Sequence, residues 1–251
     1  MKAETLKAGY ADCESGQLHY VARRSANAGK SALVLLNPRS RSCRRLLPFI
    51  PDDRPVFIID IPGLGMSSPP REGASMRDVA AAIAGFADAL ELGPIHAFGI
   101  HTGGKVAAAL ALHWPDKLAS LIVCGKSHSI IPSLEKRNSA MKEQSDKPDS
   151  LIMRSEGRYL DEPDNGNPMA RLYEANFRFD LAAAIAGARA RTLIIEITSS
   201  EEDIAYGRQG KALADLSPQG TSLELAQTDV TGLDFYAGAA RVAGAICRFI
   251  D

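Results

Sequence analysis

The stretch that most constrains this chain is Ala97-Phe98-Gly99-Ile100-His101-Thr102-Gly103-Gly104-Lys105. An apolar segment, residues 95–100, leads into it, and an alanine-rich segment, residues 103–114, leads out of it. The pattern predicts a β-strand that passes directly into an α-helix. Glycines two residues before and two residues after His101 permit a very sharp turn. Such a turn raises His101 above the carboxyl edge of a parallel sheet, at the N-terminus of a helix.

The rest of the chain predicts a sheet of mostly buried strands with helices between them. Apolar or alternating runs predict strands at residues 5–13, 17–24, 32–36, 56–59, 95–100, 118–125, 192–197 and 221–226. Helical spacing of apolar residues predicts helices after Ser75 and at residues 103–114, 204–216 and 235–250. Ser75 is a suitable N-cap, and Asp78 is placed to complete a capping box. Strands that alternate with helices after an antiparallel start indicate an α/β protein with a doubly wound sheet of about eight strands.

One segment, residues 129–178, interrupts this regular alternation. It is polar, charged and rich in proline, and it has no two-residue apolar alternation. We interpret it as a small helical cap inserted over the strand ends, between two parts of a core domain at residues 1–128 and 179–251. A disordered linker is the alternative. Leu172, Tyr173 and Phe177, with Phe179 just beyond, favour the cap because they give it side chains to pack.

Composition excludes several classes of function. The net charge of −1 gives no field to attract nucleic acid or an anionic membrane surface. No apolar run is long enough to span a bilayer, and the first ten residues lack the core of a signal peptide. The cysteines lie far apart with no CxxC pair, which predicts a reducing compartment and no metal site; they are Cys13, Cys43, Cys124 and Cys247. We therefore expect a cytoplasmic protein without a cofactor, while its oligomeric state stays open.

Three motifs in order resemble the α/β-hydrolase fold superfamily. The run Asp60–Ser67 matches the Asp-x-Pro-Gly-x-Gly-x-Ser turn that follows the fourth strand in many members. The run Gly99–Gly104 falls at the nucleophile elbow, normally Gly-x-Ser-x-Gly, and resembles that of members with a His-Thr-Gly elbow. The run Arg191–Ile195 resembles the opening of the seventh strand. The resemblance implies an α/β-hydrolase sheet, about eight-stranded and mostly parallel, flanked by helices and carrying a small helical cap.

The departures from the family pattern concern the catalytic residues. His101 stands where the family has a nucleophilic Ser, Asp or Cys, and Asn37-Pro38 replaces the His-Gly pair beside the oxyanion hole. Ser200 falls where the acid is expected, and the acids just beyond it are Glu201, Glu202 and Asp203. No histidine occurs after His128, so the last loop has no general base. A Ser-His-Asp triad in the family positions is therefore impossible.

The chemistry that remains is centred on His101. The positive end of the helix dipole disfavours imidazolium there, so a neutral imidazole is available as a general base or a hydrogen-bond acceptor. Paired with Asp229, or with an acid among residues 201–203, His101 would form a dyad that activates water or abstracts a substrate proton. The alternative is that His101 only fills the elbow and hydrogen-bonds to the backbone.

An oxyanion pocket can be built from nearby donors. The Thr102 N–H is one expected donor, and Arg39 is the second because Pro38 has no N–H. The side chain of Asn37 can add a third donor, although Asn37-Pro38 also reads as a simple turn. His128, at the entrance to the predicted cap, either reaches the pocket or lies exposed at the junction.

Two kinds of function follow. The first is a hydrolase-like enzyme, or a lyase or isomerase with the same base, acting on a small, largely apolar ester, amide or carbonyl compound. The alternative is a catalytically inactive protein of the same fold that binds a small ligand under the cap.

Overall fold

The computed structural model describes residues 6–23, 29–37, 44, 46–51, 53–125, 168–198, 208–226 and 238–251. In this part of the chain one sheet contains eight strands: β1 (Lys7–Cys13), β2 (Gly16–Arg23), β3 (Leu33–Asn37), β4 (Val56–Asp60), β5 (Ile95–Ile100), β6 (Leu118–Cys124), β7 (Arg191–Thr198) and β8 (Gly220–Ala226). Their order is β1-β2-β4-β3-β5-β6-β7-β8. Strand β2 is antiparallel to β1 and β4, and the other neighbours are parallel. The predicted fold class is confirmed.

Helices cover both faces of this sheet. They are α1 (Met76–Ala89), α2 (Thr102–His113), α3 (Pro168–Arg178), α4 (Leu181–Gly187), α5 (Gly210–Ala214) and α6 (Ala239–Ile250), with 3-10 helices at Leu47–Phe49 and Pro115–Lys117. Successive residues of β3 point to opposite faces, as the strand geometry requires. Val34 and Leu36 pack with α1 to α5, whereas Leu33 and Leu35 pack with α6. The central strands therefore read as continuous apolar runs because both of their faces are buried.

The predicted capping box is present at the start of α1. Ser75 lies in extended backbone and its Oγ accepts a hydrogen bond from the Asp78 N–H at 3.3 Å. The Asp78 carboxylate accepts one from the Ser75 N–H at 2.8 Å. Hydrogen bonds from Ser75 and then from Arg71 hold the pKa of Asp78 well below its ordinary value. The box therefore satisfies N–H groups that the first turn of the helix leaves without partners.

The observed strands begin and end within two residues of their predicted bounds. Helix α4 was not predicted; Asp180 caps it by accepting a hydrogen bond from the Ala183 N–H at 3.0 Å. Helices α5 and α6 lie within the predicted helices at 204–216 and 235–250, whose first residues fall outside the described part of the chain. Helix α3 is the described part of the predicted cap. Its Leu172 and Ala175 are buried in the same core as α1 and α2.

None of the helices in the described residues is both long and apolar enough to cross a bilayer.

Candidate functional site

The predicted strand-to-helix turn is present at the carboxyl edge of the sheet. Strand β5 ends at Ile100, and α2 begins at Thr102, one residue earlier than predicted. His101 between them has φ 47° and ψ −116°, a conformation that non-glycine residues rarely adopt. Its carbonyl accepts hydrogen bonds from the N–H groups of Gly104 and Lys105, at 3.0 and 3.3 Å. The chain thus reverses within a single residue, and that residue is His101.

Two glycines of the motif allow this reversal. A Cβ at Gly99 would lie 2.1 Å from the carbonyl oxygen of Gly103, well inside the distance of any permitted contact. A Cβ at Gly104 would lie 2.9 Å from Cγ1 of Val123 on β6. Helix α2 therefore starts directly against the strands because these two positions carry no side chain.

The side chain of His101 is exposed at this edge and lies beside the end of β6. The next residue after β6 is Gly125, which has φ +95°. A Cβ built on Gly125 would be 2.9 Å from both Cε1 and Nδ1 of the imidazole. The ring therefore occupies the space that a side chain at position 125 would need.

Thr102 is buried and is the first residue of α2. The first N–H groups of a helix have no acceptor within the helix, and the dipole concentrates positive potential there. The role of the Thr102 N–H as an oxyanion donor stays a prediction.

A buried lysine joins the elbow helix to α3, and sequence reasoning did not identify it. Lys105 is 9 % exposed, and its Nζ donates a hydrogen bond to the carbonyl of Asn176 at 3.0 Å. The only sequence signal is a lysine inside an otherwise apolar helix run, and its partner lies 71 residues away. The contact holds the first turns of α2 against the helix that ends the predicted cap.

The Asp60–Ser67 motif is a braced turn at the same edge. Asp60 is 3 % exposed, and its carboxylate accepts hydrogen bonds from His19 Nδ1 at 2.8 Å and from the Met66 N–H at 3.2 Å. A Cβ at Gly65 would lie 2.2 Å from the Asp60 carboxylate. His19 lies in a predicted strand, and the sequence alone indicates only a packing residue there. The pairing of β2 with β4 instead places it beside Asp60.

Strand β7 carries a buried carboxylate that the sequence analysis did not select. Glu196 is 3 % exposed and accepts hydrogen bonds from the N–H groups of Gln209 at 2.7 Å and Gly210 at 2.8 Å. These donors form the start of α5. Glu196 therefore caps a helix and does not supply the acid of a dyad.

Two further histidines serve the scaffold. His96, at the start of β5, is buried and shares a hydrogen bond of 2.9 Å with the hydroxyl of Ser120. Burial, and then the nearby Arg54 guanidinium, lower the pKa of His96 to about 4. His113 is exposed at the other end of α2 from His101. From the sequence both are interpreted as packing residues; His96 fits this interpretation, whereas His113 is exposed.

Most of the other predicted site residues lie outside the described residues: Arg39, His128, Ser200, Glu201, Glu202 and Asp229. Asn37 is the last residue of β3, and this strand lies between β4 and β5 in the sheet. The acid of the dyad and the second oxyanion donor stay predictions. Among the residues that the structure describes, no cluster of three or more His, Cys, Asp or Glu side chains is arranged to hold a metal ion.

A cavity of about 480 Å³ lies away from the elbow. It is bordered by the turn between β1 and β2, by Pro69, Pro70 and Arg71, and by the outer face of α1 and Trp114. His101 does not line it. The cavity is therefore separate from the candidate site.

Comparison with known proteins identifies the fold. The family model described as alpha/beta hydrolase fold matches residues 35–149, which include the end of β3, strands β4 to β6 and the elbow. The 2-hydroxy-6-oxononadienedioate/2-hydroxy-6-oxononatrienedioate hydrolase 1 of Pseudomonas putida is 29 % identical over 121 residues, 48 % of this chain and 40 % of that protein. The match thus spans about two fifths of the length of this curated relative.

Solved structures match almost the whole chain. The enol-lactonase from Burkholderia xenovorans LB400 has a TM-score of 0.70 and 18 % identity, over 96 % of this chain and 99 % of that one. A thermophilic esterase from Thermogutta terrifontis has a TM-score of 0.70 and 19 % identity, over 96 % and 97 %. At this identity the likeness concerns the fold. With the sheet order and the elbow, these matches show that the chain has the α/β-hydrolase fold, and the curated relative that it matches over 48 % of its length is a hydrolase.

Proposed function

We propose that the chain is an enzyme in which His101 is the catalytic base. Its substrate is a small, largely apolar ester, amide or carbonyl compound, which it hydrolyses or deprotonates. The observation that carries this proposal is an exposed histidine held at φ 47° and ψ −116° on the elbow. Such a backbone conformation costs roughly 1–3 kcal/mol, and residues held this way cluster at functional sites.

In hydrolysis the neutral imidazole takes a proton from a water molecule while that water attacks the carbonyl carbon. The carbonyl π electrons move to oxygen, and the Thr102 N–H, with the proposed Arg39 N–H, stabilises the resulting oxyanion. A carboxylate, proposed as Asp229 or an acid among residues 201–203, stabilises the imidazolium. When the tetrahedral intermediate collapses, the imidazolium returns the proton to the leaving group. No covalent intermediate is needed, and this suits His101 as the elbow residue because its side chain has no hydroxyl or thiol.

Proton abstraction uses the same groups. The names of the relatives refer to a hydroxy-oxo dicarboxylate and to an enol lactone; the first is an enolisable carbonyl compound, and hydrolysis of the second frees an enol. For this chain we infer an enolisable carbonyl compound as the substrate class. A base over an oxyanion pocket abstracts the proton next to the carbonyl, and the enolate oxygen occupies the pocket.

A second candidate is ligand binding without turnover. The sequence favours it because no histidine follows His128, so the family's general base is missing from the last loop. An inactive member would keep the elbow and the strand edge as the floor of a binding site.

The experiment measures turnover by the wild type, His101→Ala and His101→Ser on a panel of aryl esters, enol lactones and 2-hydroxy-6-oxo dienoates. His113→Ala is the matched control, since it removes an exposed histidine from the opposite end of the same helix. We expect the alanine variant at position 101 to lose at least about 100-fold in kcat/KM, and His113→Ala to retain wild-type rates. Equal rates for wild type and His101→Ala would contradict the proposal. Saturable binding of panel compounds without turnover by the wild type would favour the second candidate.

A further inference from the structure

We propose that Gly125 is a positioning residue for His101. Because Gly125 has no side chain, the imidazole can occupy its observed position at the elbow. The inference rests on the proposed function only in its kinetic consequence. Its structural part concerns how the two residues share space. No resemblance or motif pointed to Gly125, because the prediction from sequence was only that it ends a strand.

The register of the sheet brings the two residues together. Strands β5 and β6 run parallel with Ile100 paired to Cys124, so the next residues along each chain are His101 and Gly125. The pairing continues past the strand ends, because the His101 N–H donates to the Cys124 carbonyl at 3.1 Å. On the other side, the Gly125 N–H donates to the Ile195 carbonyl on β7 at 2.9 Å. The backbone of neither residue can move away without breaking one of these hydrogen bonds.

The imidazole in its present position leaves no room for a side chain at position 125. A Cβ on Gly125 would be 2.9 Å from Cε1 and Nδ1 of His101, whereas carbon atoms in favourable contact are about 3.5–4.0 Å apart. The ring would have to shift by roughly 0.6 Å or more to restore that separation. The two atoms that collide lie beyond the γ position of the side chain. A serine at position 101 ends at its γ oxygen, so the collision is specific to a longer side chain such as histidine, whereas the φ of +95° favours glycine at position 125 whatever stands at position 101.

The predicted consequence is a change in the geometry of the base. A misplacement of about 1 Å in a catalytic group can cost on the order of 100-fold in rate. Gly125→Ala should therefore lower kcat by roughly 10- to 100-fold with a much smaller change in KM. The binding surface loses nothing, because the added methyl group faces the imidazole.

Alanine at position 125 also adopts a positive φ, so backbone strain must be separated from the collision. Gly73 is the matched control: it has φ +69°, and a Cβ there would meet nothing within 4 Å. Gly73→Ala introduces strain alone. A second control is the double-mutant cycle with His101→Ser, in which the serine is too short to collide.

The test measures unfolding midpoints, imidazole NMR signals and kinetics in the full-length chain. We expect Gly125→Ala to lower the midpoint more in the wild type than in His101→Ser, and to shift the His101 ring resonances while Gly73→Ala leaves them unchanged. Equal midpoint losses in both backgrounds, or unshifted resonances, would overturn the proposal. The midpoints and resonances need no turnover, so an inactive wild type would refute the proposed function and still leave this inference testable.

Discussion

Replacing His101 by glycine should stabilise the protein while removing its proposed catalytic base. The backbone of His101 has φ 47° and ψ −116°, which glycine adopts without the clash that a Cβ causes. His101→Ala removes the same imidazole but keeps the Cβ and its strain. The comparison between the glycine and alanine variants therefore isolates the conformational cost of the elbow.

The magnitude follows from two opposing effects. A non-glycine residue in such a region costs roughly 1–3 kcal/mol. Glycine gives back about 0.4–1 kcal/mol, because it increases the conformational entropy of the unfolded chain. We expect His101→Gly to be more stable than His101→Ala by about 1 kcal/mol. For a chain of 251 residues this corresponds to an unfolding midpoint about 2–4 °C higher.

Urea and thermal unfolding can be followed by the fluorescence of Trp114, the one tryptophan of the chain. Glu91 provides the control, because it is exposed, has φ 51°, and lies before β5, at the opposite end of that strand from the elbow. Glu91→Gly should exceed Glu91→Ala in stability by a similar amount and leave any activity unchanged. If His101→Gly is no more stable than His101→Ala while the Glu91 pair shows the difference, the elbow is not strained and the reasoning fails.

Three further predictions concern the scaffold. Ser75→Ala should lower the free energy of unfolding by about 1 kcal/mol through loss of the cap, measured in urea; Ser75→Asp, which can still cap, should recover most of it. Gly99→Ala should cost about 3 kcal/mol or more, because its Cβ would overlap the Gly103 carbonyl; a soluble variant of wild-type stability would disprove the close contact. The pKa of His96 is about 4 in the folded chain and near 6.5 in the unfolded chain. Between these pH values the unfolded chain binds a proton that the folded chain does not bind. Stability is therefore complete above pH 6.5 and falls towards pH 4 by roughly 2–3 kcal/mol, and urea titrations of His96→Asn, which cannot titrate, should lose that part of the pH dependence.

The parts of the fold that could be predicted are those with local signals. Buried strands appear as short apolar runs, and all of those in the described residues were located to within two residues. The elbow was predictable because its glycines occupy fixed positions around His101. In the structure a Cβ at Gly99 would overlap the Gly103 carbonyl, and a Cβ at Gly104 would lie too close to the side chain of Val123. The capping box at Ser75 is equally local, since both partners lie within one helical turn.

The parts that sequence reasoning missed depend on partners distant in the chain. His19 and Asp60 are 41 residues apart, and only the antiparallel pairing of β2 with β4 brings them together. Lys105 and Asn176 are 71 residues apart and meet through helix packing. Glu196 looked like one more residue of a buried strand, and its helix-capping role depends on where the chain returns at Gln209.

At the elbow the path of the backbone does not depend on the side chain that performs the proposed chemistry. The path of the chain from β5 into α2 is imposed by contacts of Gly99 and Gly104, and none of these contacts involves the side chain at position 101. A change of that side chain to Ser, Cys or Asp would leave the turn in place, so a new nucleophile needs no new loop. Such a scaffold can change its reaction by single substitutions at position 101. His101 is thus one of several residues that this position of the fold can hold.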